Sequence, residues 1–459
     1  MLTTLVSFLV TLGILIAVHE YGHYRVAVAC GIKVLKFSIG FGKPIFTWRL
    51  KGKPTEFAIG MLPLGGYVKM LDEREAPVDA AERHLAFNTQ PLRSRAAVVA
   101  AGPAANLILA VLIYAVVNWI GVQEPKALLA SPVAGSLAEK AGLRANDVVR
   151  QAALDGDTPD DVRSFEDLRW RLTRGALDGH DLTLVVGGAA ADGPTRTVLM
   201  PLASLQTPEA DATLFRRIGI VAPWTRPVIG EIVAGSAAEK SGLREGDLVE
   251  QIGAVRMSDG QQLRETIRAN PVSSGANPQA LAQTWTVRRA GQELQLQVTP
   301  EVKQEAGVSV SRIGAYVGAP PEFVTVRYGL FDGLWQGAKR TWEVSALTLK
   351  MMGRMVIGEV SLKNLSGPLT IADYAGKSAN LGWSAYLLFL ALISVSLGVL
   401  NLLPLPVLDG GHLMYYLWEA VTGRGVSDAW MERLQRGGVA ILLGMMSVAL
   451  FNDVTRLLG

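Results

Sequence analysis

The chain has 459 residues, of which 49% are hydrophobic and only 19% charged. Ordinary globular chains carry about 25% charged residues, so the composition excludes a disordered protein and, unless the apolar residues are dispersed, a soluble one. A net charge of +3 excludes nucleic-acid binding held by bulk charge, and a single cysteine, Cys30, excludes an intrachain disulfide.

The apolar residues are concentrated. Residues 2–18 form an uncharged run whose helical pattern continues through His19 to Cys30. No Lys or Arg precedes it, so residues 1–30 read as a retained spanning helix and not as a cleaved signal. Further runs at 96–122, 383–408 and 437–455 approach or exceed the roughly 20 apolar residues that cross a bilayer. Charge sets their orientation. Residues 31–95 carry 11 Lys and Arg against 6 Asp and Glu, whereas 123–330 carry 22 against 25. Basic loops stay cytoplasmic. Residues 31–95 and the loop 409–436 are therefore expected inside, the long acidic segment outside, and both termini outside.

The long segment repeats itself. Residues 133–149 (VAGSLAEKAGLRANDVV) and 233–249 (VAGSAAEKSGLREGDLV) match at 12 of 17 positions, 100 residues apart. An offset of that size means two copies of one module. Gly142 and Gly242 suit the left-handed end of a short helix, and Asp147 and Asp247 open the next strand. The pattern resembles the bacterial form of PDZ domains, placed here at 123–222 and 223–312. Such modules capture a peptide or a C-terminus by adding it to a sheet edge; the same pair could act as a size filter.

The chemistry lies on the first span. His19-Glu20-Tyr21-Gly22-His23 is an HExxH motif. Histidines at i and i+4 share one helix face and can reach one metal ion, with Glu20 beside them as a base. Ionisable residues inside an apolar span are functional by default. His19 stands 17 residues past Leu2, roughly 26 Å along the helix, so the metal lies within the bilayer toward its cytoplasmic side. Gly22 permits a close helix neighbour. Two imidazoles leave zinc short of its usual three protein ligands. His84 and His180 lie in polar segments. Asp409 stands in Asn401-Leu-Leu-Pro-Leu-Pro-Val-Leu-Asp409-Gly-Gly-His412, where Pro404 and Pro406 break the third span at membrane depth. Asp409 is the expected third ligand, His412 a competitor better suited to packing. The Asn401 amide could hold a substrate backbone.

Taken together, these motifs resemble the site-2 protease family of intramembrane zinc metalloproteases. HExxH on the first span, NxxPxPxxDG on the third and paired PDZ modules carry the likeness. Gly40-Phe-Gly42, Pro63-Leu-Gly-Gly-Tyr-Val-Lys-Met-Leu-Asp-Glu73, Ser366-Gly-Pro-Leu369 and Phe451-Asn-Asp453 extend it along the whole chain. The resemblance implies that His19, His23 and Asp409 hold Zn2+ and that Glu20 is the base. It implies substrate contacts at Asn401 and along a membrane-embedded β-hairpin at about residues 56–70, through Ile59, Gly60, Met61, Leu62, Gly65 and Gly66. The residues suit such a hairpin, with short apolar strands and turns at Pro63 and Gly65-Gly66. A helix-like stretch at 323–362, with Phe331, Trp335 and Trp342 among Lys339, Arg340, Lys350 and Arg354, suits an interfacial gate or linker within 313–382.

The expected fold is a polytopic α-helical membrane protein, with four transmembrane helices and a membrane-associated β-hairpin, plus two α+β PDZ domains. The resemblance implies hydrolysis of a peptide bond inside the membrane segment of a previously trimmed single-span protein, an anti-sigma factor or a remnant signal peptide. The setting would be regulated proteolysis in an envelope stress response at the bacterial inner membrane. A catalytically silent PDZ scaffold is the rival reading, and a metal-ion carrier a weaker one.

Overall fold

A computed structural model describes residues 2–188, 193–206, 211–270, 280–305, 308–359 and 367–458. The chain forms two units, Met1–Gly121 with Arg327–Gly459, and Val122–Val326.

The first unit is mainly helical, with one strand pair. Its helices are α1 (Leu2–Ala29), α2 (Leu92–Ile120), α3 (Leu330–Val356), α4 (Pro368–Leu381), α5 (Trp383–Asn401), α6 (Asp409–Thr422) and α7 (Asp428–Leu458). Among the described residues, four stretches are long and apolar enough to cross a membrane: α1, α2, α5 and Ala429–Thr455 of α7. Their bounds differ from those expected. Helix α2 starts at Leu92, just after Pro91, because the helix runs back over Arg93 and Arg95. Helix α5 stops at Asn401 and not at 408, since neither Pro404 nor Pro406 can donate to a helical bond. The segment 409–436, read as a loop, holds α6 and the start of α7. There Glu432 and Arg436 pair across one turn, at 2.5 Å.

Residues 323–326 form a strand, so the helix expected from 323 begins only at Leu330. It packs closely on α2. A Cβ on Gly337 would lie 2.7 Å from the Val111 carbonyl oxygen, and one on Gly333 would lie 2.5 Å from the Trp119 indole nitrogen. This is the small-xxx-small spacing that lets membrane helices approach. Phe331, Trp335 and Trp342 face outward, 68–83% exposed. The end of the 323–362 stretch and Ser366 lie outside the described residues.

Asp453 of α7 is 1% exposed. It accepts the N–H groups of Gly367 (2.9 Å), Leu369 (2.9 Å) and Thr370 (3.1 Å) at the start of α4. A carboxylate there meets both the unpaired donors and the positive end of the helix dipole. The last two short motifs of the sequence are thus two halves of one clamp.

Two strands, β1 (Val34–Arg49) and β2 (Glu56–Met70), follow α1. They run antiparallel across their turn, where 46–49 pair with 56–59, and each folds over. Residues 36–39 then pair in step with 56–59 on one side and in the reverse direction with 66–69 on the other. The expected hairpin inside 56–70 is therefore one long bent strand, and the turn lies at residues 50–53, where Gly52 has φ 77°. The reason is that β1 supplies both partners, so β2 need not pair with itself. Tyr24 of α1 packs on Phe37 and Phe57 with centroids 5.8 and 5.6 Å apart, which fixes the sheet to the end of α1.

The second unit holds the duplicated modules. Each has a four-stranded antiparallel sheet of the same order, 160–161, 148–154, 182–187, 195–200 in one and 255–256, 248–252, 283–289, 292–298 in the other. The repeat residues play matching parts. Ser136 and Ser236 cap the short helices. Asp147 pairs with Arg196 at 2.6 Å and Asp247 with Arg289 at 2.7 Å. Asn146 takes the positive φ, 67°, that Gly246 takes at 89°. Both modules run past their expected ends of 222 and 312. Trp224 N–H bonds to the Leu128 carbonyl, and Ala315–Val317 pairs with Ile229–Ile232. Residues 217–219 (Arg-Ile-Gly) and 312–314 (Arg-Ile-Gly) are a second, shorter part of the repeat. Gly219 and Gly314 carbonyls accept Val133 and Val233 N–H at 3.2 and 2.9 Å.

Candidate metal centre

His19 and His23 leave the same face of α1, one turn apart. Asp409 reaches them from the first residue of α6. The irregular turn 402–408 delivers it there, through bonds from Leu405 N to Leu403 O (2.7 Å) and from Leu408 N to Leu405 O (2.9 Å). The turn folds tightly because Gly410 and Gly411 follow. A Cβ on Gly411 would lie 2.6 Å from Pro406 Cα, and one on Gly410 would meet the carbonyls of Leu402 and Leu403.

The three ligand atoms converge. His19 Nε2 lies 3.2 Å and His23 Nε2 3.6 Å from Asp409 Oδ2. The two Nε2 atoms are 3.2 Å apart. Among the described residues this is the one group of three or more His, Cys, Asp or Glu whose ligand atoms all lie within 4.8 Å of each other. Three lone pairs facing one point repel unless a cation or protons stand between them. Two imidazole nitrogens and one carboxylate oxygen form a three-ligand zinc set with a fourth position left open. The residues therefore fit zinc.

Glu20 is buried and lines a cavity of about 270 Å3 together with His23 and Asp409. Val68 and Met70 of β2, Val98 of α2, and Asp72 and Arg74 also line it. Burial pushes the Asp72 carboxyl up, but the Arg74 guanidinium and N–H hold it below its usual range. Gly66 brings β2 against the site: a Cβ there would lie 2.8 Å from Glu20 Cγ. The outer edge of residues 66–70 has no strand partner among the described residues.

Helix α2 closes the site from behind. A Cβ on Gly22 would strike the Ala101 carbonyl and lie 2.8 Å from Ala105 Cβ, so α1 and α2 touch there. A Cβ on Gly102 would strike His23 Nε2 and lie 2.8 Å from His19 Cε1. The Val98 carbonyl lies 2.7 Å from His23 Nδ1, and the Asn106 amide 3.3 Å from His19 Nδ1. Sequence reasoning missed all three. Val98 acts through its backbone and carries no signal. Asn106 did carry one, being a polar residue inside an apolar span.

The other expected residues are spread out. Asn401 ends α5, half-buried. Gly65 lies beside Gly66, over the ring of Phe41. Ile59, Gly60, Met61 and Leu62 lie at the fold-over of the sheet, where Ile59, Met61 and Leu62 are exposed, and none of them lines the cavity. His412 packs edge-on against Tyr415, outside the ligand group. His84 lies in a short turn, and His180 pairs with Asp155 at 3.5 Å in the second unit.

Two imidazoles and a carboxylate with a non-ligating glutamate at their side are the working parts of a zinc metalloprotease, here built on apolar helices. Comparison with known proteins puts the chain in that class. The sequence model of peptidase family M50 matches residues 7–445. A Ralstonia nicotianae protein named as a zinc metalloprotease is 40% identical over 99% of this chain and 98% of its own. The regulator of sigma-E protease RseP of Escherichia coli K12 is 39% identical over 99% and 98%. Its namesake from Salmonella typhimurium is 37% identical over 99% of each chain. The chain belongs to peptidase family M50 and is a zinc-dependent membrane metalloprotease of the site-2 type.

Proposed function

We propose that the protein cuts a peptide bond inside the membrane segment of a single-span protein whose outer domain has already been trimmed. The convergence of His19, His23 and Asp409 beside Glu20, next to a strand edge that no described strand pairs, carries this reading. His19, His23 and Asp409 would hold the zinc. When bound there, zinc supplies an activated water and polarises the scissile carbonyl. Glu20 takes the proton of the attacking water as the new C–O bond forms, and passes it to the leaving amine as the C–N bond breaks. A membrane helix hides its peptide bonds in its own hydrogen bonds, so the substrate must unwind. Pairing with the edge at residues 66–70 offsets that cost. Asn401, in the segment that leads to Asp409, is assigned to the substrate backbone. Ile59 to Leu62 serve the membrane-embedded end of the sheet.

Orientation follows from charge: the basic loop 31–95 inside, and the modules of 122–326 outside, where they take the role of PDZ domains that bind a trimmed C-terminus or exclude an untrimmed one. Both termini then lie outside, in the periplasm of a bacterial inner-membrane protein. The names of the relatives point to a sigma-E stress pathway, which makes an anti-sigma factor the first substrate class and remnant signal peptides the second. The test uses the full chain in proteoliposomes with one single-span substrate, trimmed or untrimmed. The expected result is a new terminus within the apolar segment of the trimmed form alone, lost on chelation. Cleavage outside that segment, or cleavage that survives chelation, overturns the proposal.

A further inference from the structure

The geometry points to Asn106 as the positioning residue for His19, with its side-chain oxygen, and not its nitrogen, toward the ring. This rests on the reading of His19 as a zinc ligand. His19 presents Nε2 to His23 and Asp409. A neutral imidazole that ligates through Nε2 carries its proton on Nδ1 and donates it to an orienting partner. The group 3.3 Å from His19 Nδ1 is the Asn106 amide. Two N–H groups cannot bond to each other, so the ring needs the amide oxygen there. The two ends of an amide have the same shape, and the bonding network decides between them.

The neighbouring ligand already follows this rule. His23 Nδ1 lies 2.7 Å from the carbonyl oxygen of Val98, which can only accept. Val98, Gly102 and Asn106 are spaced i, i+4, i+8, so they form one stripe of α2 facing both imidazoles. The stripe offers an acceptor, a gap for the rings and a second acceptor. Asn106 is fully buried, and its own carbonyl accepts the Ser394 hydroxyl at 2.7 Å. This bond ties the stripe to α5, the helix that leads to Asp409. A primary amide shut away in an apolar span is costly unless it bonds, and the bond that gives it a use is the one to His19.

The test is zinc retention by the purified full chain, titrated against a chelator and read as metal content. Asn106→Leu keeps the shape and removes the acceptor, so affinity should fall by about 10–100-fold. Asn106→Asp keeps the oxygen and should hold zinc as tightly as wild type or tighter. The melting temperature of each zinc-free variant reports the fold separately. Wild-type affinity in Asn106→Leu overturns the assignment, as does an equal loss in Asn106→Asp, which would mean that the amide nitrogen matters. His23→Ala is run beside them. If it retains zinc, the ligand set has failed, and not the role of Asn106.

Discussion

Replacing Glu20 by Gln is expected to remove hydrolysis and leave zinc in place. The glutamine amide has nearly the size of the carboxylate, so the packing under Gly66 survives. It cannot take a proton from water. General-base catalysis by a positioned side chain is worth about 10²–10⁴-fold, and the loss should fall in or above that range. Glu20 is not one of the three converging ligand residues, so metal content should match wild type. Cleavage of a trimmed single-span substrate, followed by mass spectrometry, reads the rate. A Glu20→Gln protein that still cleaves within tenfold of wild type contradicts the role.

The second large effect concerns a single methyl group. In an ordinary helix, Gly→Ala stabilises by about 1 kcal/mol. At Gly102 the added Cβ would strike His23 Nε2 and lie 2.6 Å from Cε1 of the same ring. His23 cannot swing away without breaking its contact with the Val98 carbonyl. His19 stands on the other side, with its Cε1 at 2.8 Å. Gly102→Ala should therefore lower bound zinc at least tenfold and activity by about the same factor as zinc removal. The zinc-free protein should melt only slightly lower than wild type, because the helix gain of about 1 kcal/mol offsets part of the cost of the displaced ring. Thermal melting with and without chelator, together with metal content, separates these effects. Full zinc in Gly102→Ala would mean that α2 does not back the imidazoles as described.

The residues that met this site from the sequence did so because the background is apolar. His19, Glu20, His23 and Asp409 are ionisable side chains where water is scarce, and such residues stand out. Asp409 also stands behind two prolines that had to break a spanning helix. The sheet was harder to read. Residues 34–49 contain Gly40, Gly42 and Pro44 and lack a clean alternation, so nothing marked them as the partner of 56–70. The hairpin was therefore expected inside one strand. Gly66 suits a turn and is instead the point where the strand leans on Glu20. The module repeat is plain over 17 residues, but its second part, three residues at 217–219 and 312–314, is too short to stand above chance. That is why the module ends fell early. Asp453 and the start of α4 belong to two motifs far apart in sequence, and only folding brings the carboxylate to the helix end it caps.

X-ray absorption at the zinc edge of the purified full chain tests the central claim most directly. The account predicts about one zinc per chain, bound by two imidazole nitrogens at about 2.0–2.1 Å and by oxygen at about 2.0–2.2 Å, with no sulfur neighbour. In Asp409→Asn or His19→Ala the metal should be lost or the shell should change. A third imidazole, a sulfur ligand, or an unchanged spectrum in both variants would contradict a centre built from His19, His23 and Asp409.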